Sequence, residues 1–401
     1  MSKVNVIVVN KQKLIALDAL LPVLMEMKSR YGDDIGIKLI MPDRDNYDDV
    51  EKNYHIIKAV EEFGGELVHQ PRGSRLKLYF WTISFFLSLM FRKNFFFTGG
   101  GCLLKHRSFM KLLKKFSSTV ECWYNFLTPS PDFIKNLRIH REYMNEKSGD
   151  VVHSKPTRRM LYDYFISSMP YDAVEDIAPD IVPEERFIEV GYVRALPAWE
   201  KFVEREADIW LKKAFPGEER KKYCLYILST FAKRIECYDE PEILELFKET
   251  VVVLRDAGVH IVFKPHIITD MKLFEKTIRE LKVVDYTVDY AHPMVLSRNA
   301  SFVIGNAYSN TMYEAFYQDV PVVEYASYDE ELCRRYGGTS SGGRCCDFFI
   351  VRDGEKLRDT VSSILESRSD YESGGEFKKE IFSSKIGNLF EITDEYIIGK
   401  Q

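Results

Sequence analysis

Residues 259–266 have the sequence VHIVFKPH and residues 301–311 have the sequence SFVIGNAYSNT, two apolar runs that each end abruptly at polar side chains. Short apolar runs of this kind are typical of strands buried in a parallel sheet. Ligands of open α/β sheets bind at the carboxyl ends of such strands. The two stretches therefore predict a parallel α/β sheet with a ligand site made in two pieces.

The second of these stretches also predicts the start of a helix. Ser309, Asn310 and Thr311 are residue types that cap helices, and good helix formers follow them. The first turn of a helix presents unpaired amides, which attract anions. Lys264 and His266, from the first stretch, would add a cation and a hydrogen-bond donor. Together these residues predict a site for a phosphate group.

Three further polar residues could belong to this site. Glu314 is expected in the first turn of the predicted helix, where a carboxylate either binds a ribose, as in dinucleotide-binding folds, or interacts with the helix dipole. The sequence leaves both roles open. Ser229 and Thr230 follow the apolar run Tyr223–Leu228 and could add hydroxyl groups to the phosphate site.

The composition excludes several classes of protein. A chain of 401 residues that is 45% hydrophobic has enough apolar material for full cores, which excludes disorder. Its net charge is -5, and its acidic and basic residues are interspersed, so no nucleic acid partner is expected. Seven cysteines without zinc-ligand spacing, and an N-terminus that begins as a strand, predict a cytoplasmic protein with free thiols.

Strand and helix patterns alternate twice along the chain. The alternation runs from the N-terminus to residue 124, dissolves across a stretch punctuated by prolines, and resumes from residue 186 to residue 366. This pattern predicts the α/β class, with two Rossmann-like doubly wound parallel-sheet domains facing a cleft. The expected divisions are an acceptor-side domain, 1–184, a donor-binding domain, 185–375, and a C-terminal helix, 376–401, that packs back across the domains.

The second half of the chain resembles the GT-B glycosyltransferases, in particular the bacterial capsule, sialic acid and Kdo transferases and the teichoic acid glycerophosphotransferases. In that family a Lys-x-His-Pro type motif and a Ser/Thr motif at a helix start grip the nucleotide phosphate of the donor. Lys264–His266 and Ser309–Thr311 match these motifs. Gly191–Arg194 is similar to the Gly-x-Pro-Arg start of the donor domain. Glu314–Phe316 and Val320–Val323 resemble the end of many GT-B nucleotide sites.

The resemblance implies an enzyme that moves a sugar from a nucleotide-activated donor to a cell-surface polysaccharide or glycolipid. The nucleotide sugar would be a substrate, so no cofactor is expected. No metal is expected either, since Lys264, His266 and the helix amides can neutralise the departing phosphate. Two alternatives stay open: a nucleotide-sugar 2-epimerase, and a noncatalytic sugar-nucleotide-binding protein of a glycan assembly complex.

The sequence departs from the family motifs at two positions, and at the first of them Val193 replaces the usual proline of the Gly-x-Pro-Arg start. Ile267 stands where the family commonly has the proline of its His-Pro pair. His292 and Pro293 supply another such pair, but they precede a predicted helix and also fit a capping turn. We therefore rank His266 above His292 as the phosphate ligand.

The expected first domain supplies candidates for the acceptor side. Gly99, Gly100 and Gly101 follow an apolar strand and would permit close backbone approach to a ligand, although no complete phosphate-binding motif is present. A general base that activates the acceptor hydroxyl is also expected in this domain. The candidates for this base are Asp43, Asp45 and His106.

Two segments have alternative interpretations. Residues 78–91 are almost all apolar or aromatic and have basic flanks, but they are too few for a membrane span of about 20 residues. They form either a core helix or a helix at the inner face of a membrane. Residues 337–343, GGTSSGG, form either a lid or a plain surface connection.

Overall fold

The protein is described by a computed structural model whose chain forms two compact units. The described residues are 3–9, 14–41, 52–69, 75–99, 115, 117–122, 130–148, 163–177, 182–217, 221–228, 240–266, 269–367 and 375–399. The first unit comprises Met1–Pro129, Lys155–Phe202 and Ile381–Gln401, and the second comprises Ser130–Ser154 and Val203–Glu380.

Each unit contains one parallel sheet. The first sheet has seven strands in the order β3-β2-β1-β4-β5-β6-β7, and the second has six in the order β10-β9-β8-β11-β12-β13. The strands of the first sheet are β1 Val4–Val9, β2 Ile35–Met41, β3 Glu66–His69, β4 Lys93–Gly99, β5 Ser117–Cys122, β6 Tyr164–Ser167 and β7 Phe187–Glu189. Those of the second are β8 Tyr223–Leu228, β9 His260–Pro265, β10 Tyr286–Val288, β11 Phe302–Gly305, β12 Val322–Ala326 and β13 Phe348–Val351.

Helices connect most of the successive strands in the described parts of the chain, because neighbouring parallel strands need a crossover connection. The α-helices are α1 Leu14–Tyr31, α2 Tyr54–Glu62, α3 Arg75–Met90, α4 Pro131–Ser148, α5 Tyr171–Ile177, α6 Pro197–Ala214, α7 Glu240–Asp256, α8 Met271–Glu280, α9 Pro293–Ser297, α10 Asn310–Tyr317, α11 Glu330–Arg335, α12 Gly354–Ser367, α13 Gly375–Ile381 and α14 Gly387–Ile398. Short 3-10 helices span Gly32–Asp34, Glu184–Arg186, Val193–Ala195 and Gly343–Cys345. The predicted α/β class with two doubly wound parallel sheets is confirmed.

The strand β7 belongs to the first sheet, although the sequence placed it at the start of the second domain. Its residue Ile188 pairs with Ile166 of β6. Arg194, which follows it, is fully buried in the first unit, and its Nη2 lies 2.5 Å from the Asp18 carboxylate. Periodicity identifies a strand but not its sheet, so only tertiary pairing places β7.

Helix α4 lies in the stretch where the alternating sequence pattern dissolves. It begins at Pro131, and proline is well tolerated at the first position of a helix, where no intrahelical amide bond is needed. Contacts group this helix with the second unit and residues 381–401 with the first. The boundaries expected after residues 184 and 375 stay a prediction.

The C-terminal segment forms two helices, where the sequence predicted one. Phe377 of α13 lies against the Arg344 guanidinium in the second unit. The α14 helix packs on the first unit, where the Tyr31 hydroxyl lies 2.6 Å from Thr393 and the Tyr396 hydroxyl donates to the Asn94 carbonyl. Residues 382–386 separate the two helices.

Helix α3 covers most of the apolar segment 78–91 and has two apolar faces. On one face, Trp81, Phe85 and Leu89 pack against strand residues that include Phe96. The opposite face is exposed to solvent. None of the helices in the described parts of the chain is long and apolar enough to cross a membrane. The core-helix interpretation therefore applies to one face of α3 only.

Candidate functional site

The two stretches that opened the sequence analysis end at the same edge of the second sheet. In the sheet register, Ile227 of β8 pairs with Lys264 of β9 on one side and with Gly305 of β11 on the other. Because neighbouring strands lie about 4.8 Å apart, the Lys264 and Gly305 backbones are about 10 Å apart. The strand ends therefore flank β8 at the carboxyl edge, where α/β sheets bind ligands.

Lys264 and His266 extend from the end of β9 in different environments. The Lys264 ammonium donates to the Tyr290 carbonyl at 3.4 Å and lies 5.7 Å from the centre of the Tyr290 ring. Burial raises the pKa of Tyr290, so this ring is neutral at physiological pH. The side chain of His266 is exposed, and its backbone carbonyl accepts from the Thr269 amide at 2.9 Å. Lys264 and His266 thus lie at and just beyond the end of the strand, with the Lys264 ammonium on the β10 side.

Helix α10 begins as the sequence predicted. Ser309 is its N-cap, and the Ser309 Oγ accepts from the Thr311 amide at 3.2 Å. Asn310 and Thr311 are the first two helical residues and are half-buried. A serine hydroxyl that accepts one hydrogen bond still carries its own proton to donate. The capping role of Ser309 is therefore compatible with a contact to a ligand.

Glu314 lies in the second turn of α10, whereas the sequence analysis expected it in the first turn. It is 2% exposed, and no acidic residue occupies the first turn of this helix. The effect of the helix dipole falls off within one turn, so interaction with the dipole does not account for this carboxylate. A carboxylate oxygen of Glu314 lies within 4.8 Å of a ring nitrogen of His292.

His292 serves as the N-cap of α9. Its Nδ1 accepts from the Met294 amide at 3.1 Å, and Pro293 occupies the first helical position. In a neutral ring whose Nδ1 accepts a hydrogen bond, the proton resides on Nε2. His292 is fully buried, whereas His266 is exposed. The capping turn that the sequence allowed for His292 is confirmed, and the ranking of the two histidines stays a prediction.

Asn306 joins the strand ends, a role that the sequence analysis missed. Its Oδ1 accepts from the Tyr226 hydroxyl, and its Nδ2 donates to Thr250 Oγ1 and to the Tyr325 carbonyl, both at 3.0 Å. These partners lie on β8, α7 and β12. Asn306 therefore fixes the edge from which the loop to α10 departs. Its position directly after a buried strand was the available signal.

A buried carboxyl group supports the same loop. Glu324 of β12 is fully buried, and its Oε1 accepts from the Tyr308 amide at 2.9 Å and from the Tyr328 hydroxyl at 2.7 Å. Burial raises the pKa of Glu324, because desolvation penalises the charged form. The sequence analysis missed this residue, because it lies within an otherwise apolar strand.

The glycine-rich segment 337–343 is a packed connection rather than a lid. Asn136 of α4 donates to the carbonyls of Ser340 and Ser341, both at 3.2 Å. A side chain at Gly342 would overlap the ring of Tyr308. The second half of this segment is therefore held between α4 and the loop that precedes α10.

The remaining predicted site residues are placed as follows. Gly99 ends β4 in the first unit, next to Cys122 of β5. The predicted positions that lie outside the described residues are Asp43, Asp45, Gly100, Gly101, His106, Ser229 and Thr230.

Comparison with known proteins identifies the fold. No protein-family profile matches this sequence, and no curated protein is significantly similar to it. A UDP-GlcNAc 2-epimerase of Methanocaldococcus jannaschii, solved with UDP-GlcNAc and UDP, is 15% identical with a TM-score of 0.51 over 97% of this chain and 99% of that one. UGT2 of Phytolacca americana, solved with UDP-2-fluoro-glucose and pterostilbene, is 10% identical with a TM-score of 0.52, covering 98% of this chain and 99% of that one.

A third solved structure shows the same likeness. HepE of Anabaena, solved with UDP and glucose, is 10% identical with a TM-score of 0.51, covering 97% of this chain and 98% of that one. Similarity at this level of identity shows the fold alone. The chain has the GT-B fold that the resemblance implied.

Replacement of Glu324 by Gln should make stability less dependent on pH. At a pH between its unfolded and folded pKa values, a carboxyl group whose pKa is raised on folding keeps its proton in the folded state, whereas the unfolded chain releases it. Wild-type stability should therefore fall as pH rises from the ordinary value of 4.5 through the raised pKa, and then level off. Gln keeps the oxygen that accepts from Tyr308 and Tyr328. We expect the advantage of Glu324→Gln to grow across this interval by about 1.4 kcal/mol for each unit by which the pKa is raised.

Urea unfolding at several pH values measures this effect. Glu355→Gln, an exposed change at the start of α12, is the control for loss of one carboxyl group. An advantage of Glu324→Gln that is equal at pH 5 and pH 8 would contradict the assignment.

Proposed function

We propose that this protein is a glycosyltransferase that moves a sugar from a nucleotide-activated donor to a cell-surface polysaccharide or glycolipid. The observation that carries the proposal is that Lys264 and Gly305 both pair with Ile227, one on each side of β8. This register brings a cationic strand end and a loop leading to a helix start to the same edge of one sheet. The UDP bound in structures of similar fold supports a nucleotide sugar as the donor.

The proposed donor site neutralises the leaving phosphate with groups of the second unit. Lys264 and His266 supply positive charge or hydrogen-bond donors from the β9 end, and Ser309, Asn310 and Thr311 present the start of α10. Glu314 would bind the ribose. Stabilising the departing phosphate lowers the barrier to sugar transfer, because negative charge develops on it in the transition state. Ser229 and Thr230 would add hydroxyl groups.

The acceptor would be activated from the first unit. A general base must lie within hydrogen-bond reach of the acceptor hydroxyl, and a carboxylate or an imidazole can serve. Asp43, Asp45 and His106 are the proposed candidates, with the loop that contains Gly99 facing the acceptor. The nucleotide sugar is a substrate in this scheme, and we propose that the protein acts in the cytoplasm.

A second candidate function is nucleotide-sugar 2-epimerisation. The similarity to a solved UDP-GlcNAc 2-epimerase favours it, at a TM-score close to those of the glycosyltransferase-type structures. An epimerase would need no acceptor, because it rearranges the sugar of the donor itself. A noncatalytic binding protein would hold the donor without turnover.

Product analysis separates these functions. The protein is incubated with UDP-GlcNAc or UDP-glucose, with and without a panel of glycan and glycolipid acceptors, and nucleotides and sugars are separated by chromatography. We expect UDP to appear only with an acceptor, in equal amount to the transferred sugar. His266→Ala should lower turnover by roughly 10- to 150-fold, because a hydrogen bond to a charged group contributes about 1.5 to 3 kcal/mol.

Two outcomes would contradict the proposed transfer. Epimerised sugar nucleotide formed without an acceptor would identify an epimerase. Nucleotide binding without any product, across the whole acceptor panel, would identify a binding protein.

A further inference from the structure

Helix α3 carries an exposed apolar surface, which we call the outer face. Its residues recur at helical spacing and are all large and apolar, and each exposes between 38% and 81% of its surface. They are Leu76, Tyr79, Phe80, Ile83, Leu87, Met90 and the adjoining Phe91. Contiguous apolar surface of this kind marks an interaction site in a folded protein.

The outer face is held in a fixed orientation by the opposite side of the helix. Trp81 stacks on Phe85 with ring centres 5.5 Å apart, and both pack against the apolar core beneath. After the helix ends, the side-chain Nδ2 of Asn94 donates to the Leu89 carbonyl at 2.8 Å and to the Arg92 carbonyl at 2.7 Å. The outer face therefore cannot be buried by rotating the helix without breaking this packing.

Two of the three serine and threonine side chains of α3, those of Thr82 and Ser88, are suited to an apolar environment, and the third, Ser84, is exposed. The Thr82 hydroxyl donates to the Leu78 carbonyl at 2.8 Å, and the Ser88 hydroxyl donates to the Phe85 carbonyl at 2.7 Å. Each of these two hydroxyl protons is thus satisfied within the helix. Residues 78–91 contain no charged side chain at all. Withdrawal from water would therefore leave no charge of this helix segment desolvated.

The segment of sequence that contains α3 has many basic residues and no acidic ones. From Leu67 to Val120 the sequence contains no aspartate or glutamate. Its ten basic residues are Arg72, Arg75, Lys77, Arg92, Lys93, Lys105, Arg107, Lys111, Lys114 and Lys115. All 61 acidic residues of the chain therefore lie outside this segment, as do 46 of the 56 basic residues. The interspersion of charges noted for the whole chain does not hold for this segment.

We propose that the outer face of α3 docks on a membrane surface that contains anionic lipids. Basic residues beside the helix, including the exposed Lys77 and Lys93, would face the lipid headgroups. Tyr79 and Phe80 would enter the interfacial layer, where aromatic rings are favoured. The helix has 16 residues, fewer than the about 20 that a membrane span needs, so it would lie along the surface.

The same charges argue against a second copy of this chain as the occupant. A symmetric contact through the outer face would bring the exposed Lys77 and Lys93 of one copy toward those of the other. Like charges in an interface repel, whereas anionic lipid attracts both the charge and the apolar surface. The inference does not depend on the proposed enzymatic activity.

Vesicle sedimentation tests the docking surface. The full chain is mixed with vesicles of phosphatidylcholine alone or of phosphatidylcholine with phosphatidylglycerol, and no substrate is needed. We expect binding to the anionic vesicles, weakened by salt, and little binding to the neutral ones. The variant Lys77→Gln with Lys93→Gln should bind about 30-fold more weakly, because each basic residue near such a surface contributes about 1 kcal/mol.

A second variant tests the apolar contribution. Tyr79→Ser, Phe80→Ser and Leu87→Ser together should abolish sedimentation without unfolding the protein, because all three side chains are exposed. Ile209→Ser with Val284→Ser removes exposed apolar surface from the second unit and should bind like wild type. Circular dichroism checks that each variant is folded.

Three results would overturn the proposal. The wild type would fail to bind anionic vesicles, or the outer-face variant would bind them as well as the wild type. Alternatively, light scattering would show that the wild type is a dimer and that the outer-face variant is a monomer. The outer face would then be a contact between subunits.

Discussion

Replacement of Gly191 by Ala should destabilise the first unit by about 4 kcal/mol. Gly191 has a φ of +65°, a conformation that costs an L-residue about 1 to 2 kcal/mol. A side chain there would also overlap the Ser383 carbonyl oxygen and come within 2.9 Å of the Lys385 nitrogen. Both neighbours are backbone atoms, so no side-chain rotation relieves the clash, and overpacking of this kind costs about 1 to 3 kcal/mol.

The clash should break the attachment of the C-terminal segment. The Tyr192 amide donates to the Ser383 carbonyl at 3.0 Å, and the Lys385 amide donates to the Val190 carbonyl at 2.8 Å. The Lys385 ammonium lies 2.6 Å from the Glu189 carboxylate. A forced separation at Gly191 disrupts all three contacts. We therefore expect increased proteolysis of the chain after residue 381 in the variant.

Gly64→Ala provides a matched control for this experiment. Gly64 also has a φ of +65° and lies in the first unit, but no atom lies within 4 Å of the position that its side chain would occupy. It should lose only the conformational part, about 1 kcal/mol. Urea unfolding of both variants measures the difference. Equal losses would mean that the C-terminal segment does not pack against Gly191 as described.

Local patterns were sufficient to predict the frame of the candidate site. The apolar runs that became β9 and β11 each ended at polar residues, and Ser309 capped the following helix as its residue type predicted. These features depend on side-chain periodicity and on hydrogen bonds between near neighbours in sequence. Both are properties of a short segment, so a single sequence reveals them.

Features that depend on distant residues were not predicted. The sequence could not assign β7 to the first sheet, because its pairing partner β6 lies about 20 residues earlier, on the other side of α5. Glu324 and Asn306 were missed for the same reason, since the partners that make their burial tolerable come from other elements. Because Ser309 is the N-cap, α10 begins at Asn310. Glu314 therefore lies in the second turn of the helix and not in the first, where it was expected.

Removal of the Lys264 ammonium should weaken nucleotide binding strongly. The ammonium donates to the Tyr290 carbonyl at 3.4 Å and lies 5.7 Å from the centre of the Tyr290 ring, at the carboxyl end of β9. A phosphate between the ends of β9 and β11 would offer a stronger partner. Hydrogen bonds to charged groups contribute about 1.5 to 3 kcal/mol, which corresponds to a roughly 10- to 150-fold loss of affinity in Lys264→Ala.

Lys282→Ala is the matched control for this charge change. Lys282 is exposed and follows α8 on the way into β10, at the amino edge of the same sheet. It carries the same charge as Lys264 but lies away from the carboxyl ends of the strands. Thermal unfolding of both variants without nucleotide checks that neither change disturbs the fold.

Calorimetric titration of UDP into the wild type, Lys264→Ala and Lys282→Ala tests most directly whether the second unit holds a nucleotide phosphate at these strand ends. CMP, CDP and GDP are titrated in parallel, because the base is not specified by the phosphate site. The account predicts that at least one nucleotide binds the wild type and the Lys282 variant equally and binds the Lys264 variant at least about tenfold more weakly. Unchanged affinity in Lys264→Ala, equal losses in both variants, or no binding of any of the four nucleotides to the wild type would contradict it.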